Sequence, residues 1–303
     1  MSPLTLALPA LILLPGIPSA PRERTLLAMG TTLSLRVEGR ARGLEPALAE
    51  LAELEARCST WRPDSLWSRC NAGEAVTLPA EDQALLRRVA ALSREAGGAF
   101  DPLLGRLIQA WGLRSGGRVP SASELAAARA ASGLAHLEDG AEGLRLTGGA
   151  WIEEGGFLKG HALDLLRRRL REGGAASGLL DFGGQLLAWG PARRVALADP
   201  RDRQRARLTL RLREASLSTS GTSERGRHIL DPHTGQPCEA WGSVAVVRPT
   251  GLEADILSTA LFVMGPERGF AWAEARGVAA AFLLNDGAVK LTTPFRTLHP
   301  RAL

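Results

Sequence analysis

The texture of the chain changes at Ser177, and that change limits the folds open to it. Before it, apolar residues recur at helical spacing over residues 44–57, 81–96 and 158–171. After it come short strand-like runs at 178–181, 185–189, 194–198, 207–213 and 243–247, punctuated by Gly183-Gly184, Pro191 and Pro200. Residues 31–38 alternate and predict an opening strand, and Ser121 or Ser123 is placed to cap a helix running to Ser132. The chain closes with helices at 254–263 and 266–276. A hairpin of 279–284 and 289–291 follows, turning at Asn285-Asp286-Gly287. Strands crowded together, with helices segregated around them, predict an α+β fold rather than a regular βαβ array.

The 303 residues, 45% hydrophobic and 23% charged, suffice for a sizeable core. The net charge of +5 is carried almost wholly by arginine, since Lys159 and Lys290 are the only lysines. The arginines are scattered and often adjoin acids, as in Arg94-Glu95 and Arg171-Glu172, and the chain has no tyrosine. That pattern argues against a nucleic-acid surface. Cys58, Cys70 and Cys238 lack CxxC spacing, so no zinc site is expected. Cys58 and Cys70 either pair in an oxidising compartment or stay thiols. Residues 4–15 are apolar and are followed by Gly16, Pro18, Ser19 and Ala20, the form of a secretory h-region and cleavage site. The MSP start brings no Lys or Arg, which leaves an uncleaved anchor as the alternative. The chain divides on this reading into an export segment, 1–20, and a working domain, 21–303.

Two stretches carry residue types that a core does not need. Residues 216–237 gather hydroxyls, glycines, Arg225, Arg227, His228 and Asp231. Ser218, Thr219, Ser220 and Gly221 can offer hydroxyls and N–H groups to phosphate oxygens. Arg225 can add charge-assisted bonds, and His228 is a candidate general base. A polar hairpin with a structural histidine is the other reading. The segment lacks the second glycine of a GxSxG elbow. In residues 254–265, Asp255 and Thr259 stand four apart and so share a helix face. With the Ser258 carbonyl they offer hard oxygens to a cation of the magnesium type. Equally, Asp255 can favour a helix start and Thr259 can bond back to a carbonyl. A third stretch, Gly155-Gly156-Phe157-Leu158-Lys159-Gly160, holds one of the two lysines but fits neither a Walker A loop nor GxGxxG.

Seven segments stand in order: MGTTLSL (29–35), STWRPDSLWSRCNAG (59–73), GAFDPLLGRLIQAWG (98–112), GGFLKGHALD (155–164), LLDFGGQLLAWG (179–190), STSGTSERGRHILDPHTGQP (218–237) and ADILSTALFVMG (254–265). Together they resemble the ApbE-type FAD:protein FMN transferases over almost everything after residue 20. The resemblance implies a compact α+β fold with antiparallel-rich sheets, surrounding helices and an FAD cleft between subdomains. It implies a magnesium-dependent enzyme, periplasmic or otherwise exported, either free or at a membrane surface. Such an enzyme takes FAD, attaches FMN through a phosphoester to a threonine of a partner flavoprotein, and releases AMP. Partners of the family are subunits of quinone reductases and Rnf-type complexes. Hydrolysis of FAD to FMN and AMP, or FAD binding without catalysis, are the alternatives.

Carried over residue by residue, the resemblance makes Asp255 and Thr259 metal side chains, and the carbonyls of Ser258 and Leu158 backbone ligands. His228 becomes the base for the acceptor threonine. Met29, Trp61, Ala99, Phe100, Asp101, Gly155, His161 and Ile229 fall at nucleotide-contact positions, with Asp164 and Arg225 holding the site together. The family often has tyrosine at the positions of Trp61, His161 and Ser223, and an acidic residue at Gln185. Trp61 can still stack on a ring, while Gln185 makes a second metal less expected.

Overall fold

The computed structural model describes residues 21–40, 42–222 and 228–303. The expected export segment, 1–20, and Arg225 lie outside the described residues. In chain order the elements open with strands β1 (Arg22–Ala28) and β2 (Thr31–Gly39). Helices α1 (Leu44–Cys58), α2 (Leu66–Asn71), α3 (Ala80–Glu95), α4 (Gly105–Ala110) and α5 (Ala122–Ala130) follow. A small hairpin, β3 (Leu137–Gly140) and β4 (Gly143–Leu146), precedes α6 (Leu158–Glu172). Then come β5 (Ala175–Phe182), β6 (Gln185–Trp189), β7 (Arg193–Asp199), β8 (Asp202–Leu212), β9 (Ala215–Gly221) and β10 (Gly242–Arg248). The chain ends with α7 (Gly251–Met264), α8 (Arg268–Ala275), β11 (Ala279–Leu284), β12 (Val289–Leu291), α9 (Thr293–Arg296) and β13 (Arg301–Ala302).

The expected α+β class is what forms. Eight strands make one sheet in the order β1-β2-β5-β6-β9-β10-β11-β12, and β13-β8-β7 make a second. The pairings within both sheets are antiparallel. Because side chains alternate along a strand, each face of the large sheet finds its own cover. Val244 and Val246 of β10 pack with Leu257 and Leu261 of α7. Ala245 and Val247, between them, pack with Leu197 of β7 and with Leu208 and Leu210 of β8. The large sheet is therefore sandwiched between helices and the smaller sheet.

Two local features set up the site. The opening strand is half of a hairpin, with β1 added before it. Met29 and Gly30, at φ 46° and 71°, form the turn. Positive φ at both central residues suits a two-residue hairpin turn. Helices α6 and α7 meet backbone to backbone. A Cβ on Gly160 would lie 2.3 Å from the Gly251 carbonyl oxygen, and one on Gly251 would lie 2.3 Å from that of Gly160. Asp164 fastens the contact, its carboxylate accepting the Gly251 and Leu252 N–H groups at 2.8 and 3.0 Å. These are the unpaired donors of the first turn of α7.

Candidate active site

Strands β6 and β9 pair only through residues 186–188 and 215–217. Beyond that, residues 218–221 run along β10 alone. The β5–β6 turn, Gly183-Gly184 at φ 59° and 88°, stands across from them. A cavity of about 1660 Å³ opens at this split and reaches both faces of the sheet. Its walls include the hydroxyl run expected to face phosphates, Ser218, Thr219, Ser220 and Gly221.

One buried carboxylate of the cavity comes from α7. Asp255 is only 6% exposed, and its Oδ2 accepts the Gly160 N–H at 3.1 Å. Burial raises its pKa, opposed by the Lys159 charge and by the Gly160 hydrogen bond. One turn on, the Thr259 hydroxyl donates back to the Asp255 carbonyl at 3.2 Å and lies 3.3 Å from Ser220 Oγ. The back-bonding geometry is thus present, and the hydroxyl keeps lone pairs toward the cavity. Ser258 is fully buried beneath this surface, its Oγ 2.9 Å from Ser220 Oγ and 3.1 Å from Ser218 Oγ. These hydroxyls tie β9 to α7. Lys159 Nζ donates to the Gly155 carbonyl at 3.0 Å and also lines the cavity.

The lining also gathers Met29, Ala99, Phe100, Asp101, Gly155 and Ile229. The Phe100 ring meets Phe157 edge-on at 6.3 Å, and a Cβ on Gly156 would come 2.8 Å from Phe100 Cε2. Glycine at 156 therefore makes room for the ring. Asp101 spends both oxygens on backbone, accepting Leu103 N–H at 2.8 Å and Leu134 N–H at 2.9 Å. It fastens the wall, with burial raising its pKa. His228 lines the cavity next to Ile229, just before the Leu230–Pro237 bridge. Residues 231–235 form a turn closed by Gly235 N–H on the Asp231 carbonyl at 2.7 Å.

At the mouth Trp61 is 62% exposed, with the Arg114 guanidinium 4.5 Å over its ring. Arg114 also donates to the Thr60 carbonyl at 2.8 Å and bonds Glu153 at 2.5 Å, while Thr60 N–H donates to Glu154 at 2.9 Å. Burial and the neighbouring Glu154 push Glu153 up to about 7, against the pull of Arg114. This network was not foreseen. The available signals were the tandem acids before Gly155 and an arginine between glycines in residues 112–117.

Some expected contacts do not converge. His161 is half-buried on α6 and does not line the cavity; its charged neighbours are Arg168, Asp82, Arg57 and Glu50, and burial lowers its pKa. Asp164, expected to hold the site together, stands outside the cavity lining and fastens the α6–α7 backbone contact. Gln185 does line the cavity, with Nε2 donating to the Gly251 carbonyl at 2.8 Å. Cys58 and Cys70 do not pair: both are free thiols, Cys58 donating to Asp82 from the core.

Among the described residues no three His, Cys, Asp or Glu side chains converge. A cation here would rest on one buried carboxylate with hydroxyl and carbonyl oxygens. Asp255 and Thr259 at the cavity, with Leu158 lining it and Ser258 behind, are such a hard donor set, and it fits magnesium rather than zinc.

Residues 29–283 match the ApbE family model. An FAD:protein FMN transferase of Treponema pallidum is 31% identical over 88% of this chain and 86% of its own length. One of Klebsiella pneumoniae is 30% identical over 89% and 87%. The crystal structure of Pseudomonas stutzeri flavinyl transferase ApbE, apo form, superposes with a TM-score of 0.83 at 31% identity, covering 94% of this chain and 98% of that one. The flavin transferase ApbE from Vibrio cholerae gives 0.82 at 27% identity, covering 92% and 100%. The match spans the cavity walls from the Met29 turn to α7, and on that ground the chain belongs to the ApbE family.

Proposed function

We propose that this chain transfers FMN from FAD to a threonine hydroxyl of a partner flavoprotein and releases AMP, in a magnesium-dependent reaction. The observation that carries the reading is one cavity that joins a buried carboxylate, a hydroxyl-rich strand end, a histidine and aromatic walls. Its size suits a dinucleotide, since drug-sized ligands fill roughly 300–1,000 Å³. The relatives' names support flavin transfer.

In this reading the flavin and adenine lie along the walls that carry Trp61, Phe100 and Ile229. The pyrophosphate lies toward Ser218–Gly221 N–H and O–H groups and Lys159. Asp255, Thr259 and the carbonyls of Ser258 and Leu158 hold the cation. When bound, it supplies charge neutralisation on the pyrophosphate as the phosphorus is attacked. His228 takes the proton of the acceptor hydroxyl. A bond forms from threonine oxygen to the FMN phosphorus, and the bridging P–O bond to AMP breaks, with AMP carrying away that electron pair. Water in place of threonine gives FAD hydrolysis by the same groups. An N-terminal export segment would place the reaction outside the cytoplasm. The acceptor would be a subunit of a quinone reductase, an Rnf-type complex or a related flavoprotein.

His228→Ala tests the assignment. It should lose transfer by about 10²–10⁴-fold, the scale for a positioned acid–base group, while flavin fluorescence still reports FAD binding. Transfer at the wild-type rate would make His228 structural.

A further inference from the structure

β7 is an edge strand of the smaller sheet. In the sheet β13-β8-β7 it is paired on one side only, to β8. Among the described residues its other side has no backbone partner. Exposed edges are normally blunted by charge, proline, a bulge or shortness. The outer edges of the large sheet follow that rule. β1 begins Arg22-Glu23-Arg24, and β12 is three residues with Lys290 at its centre. β7 runs Val195-Ala196-Leu197-Ala198 with no charge between Arg194 and Asp199, and its register irregularity is confined to the far end, at residues 197–199. Ala196, Leu197 and Ala198 line the cavity, so the bare edge lies along the wall of the candidate active site.

The same strand leads to unneutralised charge. Arg194, Ala196 and Ala198 are exposed and alternate with buried Val195 and Leu197, so they share the outer face. Arg194 stands directly opposite Arg211 of β8. Arg301 of β13 stands opposite Thr209, two residues along β8 on the same face. All three arginines are exposed, and none of them has an ion-pair partner among the described residues. Like charges directly across a ladder destabilise it. Residues 193–213 hold eight arginines and two acids, Asp199 and Asp202; Asp199 is paired with Arg201, and Arg193 with Glu38 of β2.

We propose that the β7 edge is the docking site for the acceptor: an extended, acidic segment adds as a strand along Val195–Ala198, with carboxylates over Arg194 and Arg211. This rests on the transfer reading above and names how the protein substrate is held. Main-chain hydrogen bonds supply affinity in such strand addition, and side chains supply selectivity. The small Ala196 and Ala198 leave room beside the edge. At about 3.3 Å per residue, a segment crossing Arg194 delivers a hydroxyl to the cavity a few residues further on.

The probe is a short synthetic peptide with one threonine and an aspartate-rich, β-branched flank. With FAD and magnesium present, its addition should slow amide exchange at residues 195–198. The double variant Arg194→Glu/Arg211→Glu should bind it about tenfold more weakly, the scale for two exposed ion pairs turned to repulsion. Flavin titration should give unchanged FAD affinity in that variant, since neither arginine lines the cavity. Peptide binding without protection of the edge, or equal binding by the variant, would overturn the proposal. So would wild-type capture of phosphatidylserine vesicles, lost in the variant, with no binding of the peptide, because the arginines would then serve a membrane. Loss of FAD binding by the wild-type protein would strike the transfer reading instead.

Discussion

Asp255 is a carboxylate kept where its charge is costly, and the cost has a direction. Burial raises its pKa above the ordinary carboxylate value. The folded state therefore holds the proton more tightly than the unfolded chain, and stability falls as pH rises through the interval between the two values. At neutral pH the cation-free protein carries that burden. Asp255→Asn removes it in nearly the same shape. The variant should melt, in chelator, at or above the wild-type temperature. Its magnesium-dependent turnover should fall by at least roughly 10²-fold, and magnesium should raise the melting temperature of the wild type alone. Glu153 offers the same test away from the cation donors. Its pKa is pushed up to about 7 from 4.5. Wild-type stability should fall as pH rises from about 4.5 to 7, and Glu153→Gln should flatten that slope, read as melting temperature against pH.

At the scale of elements, the α6–α7 contact decides whether the site exists. Gly160 presents its N–H to Asp255 and its bare Cα to the Gly251 carbonyl. Gly160→Ala should force the helices apart, lowering stability by about 1–3 kcal/mol or more and weakening magnesium binding in step. A denaturant midpoint and a magnesium titration check both. The periodicity of residues 158–171 made α6 legible, but nothing in it showed that Gly160 is a contact point, because that depends on what packs against it. Helix α7 begins at Gly251 rather than Ala254, capped by Thr250 and held by Asp164. Ser121, not Ser123, caps α5, with Glu124 completing the capping box, and the helix ends at Ala130. Strand β1 escaped the sequence reading because Arg22, Glu23 and Arg24 break any apolar alternation; its exposed edge position tolerates them. The early part of β8 escaped for the same reason, since its first four residues are polar and exposed. His161 was expected at the nucleotide because it follows Gly160 in a segment matching the family. On α6 it is half-buried and outside the cavity lining, with Arg168, Asp82, Arg57 and Glu50 as its charged neighbours. The Arg114–Glu153 pair joins residues 39 apart, a contact that only the tertiary fold creates.

For the whole molecule, the cavity collects residues from Met29 to Thr259, so it needs both faces of the large sheet and the β7 wall at once. Walls spread that widely suit a ligand with two ends. FAD should bind more tightly than FMN, and flavin fluorescence titration with magnesium present would show it; equal affinity would count against a dinucleotide site. The most direct measurement of the central claim follows the FMN group itself. The protein is incubated with FAD, magnesium and a candidate acceptor, and both acceptor and nucleotides are weighed by mass spectrometry. The account predicts an acceptor heavier by one phosphoester-linked FMN on a threonine, with AMP formed in equal amount. Free FMN and AMP with an unmodified acceptor, for every acceptor tried, would make the chain a hydrolase, and unconsumed FAD would contradict the account outright.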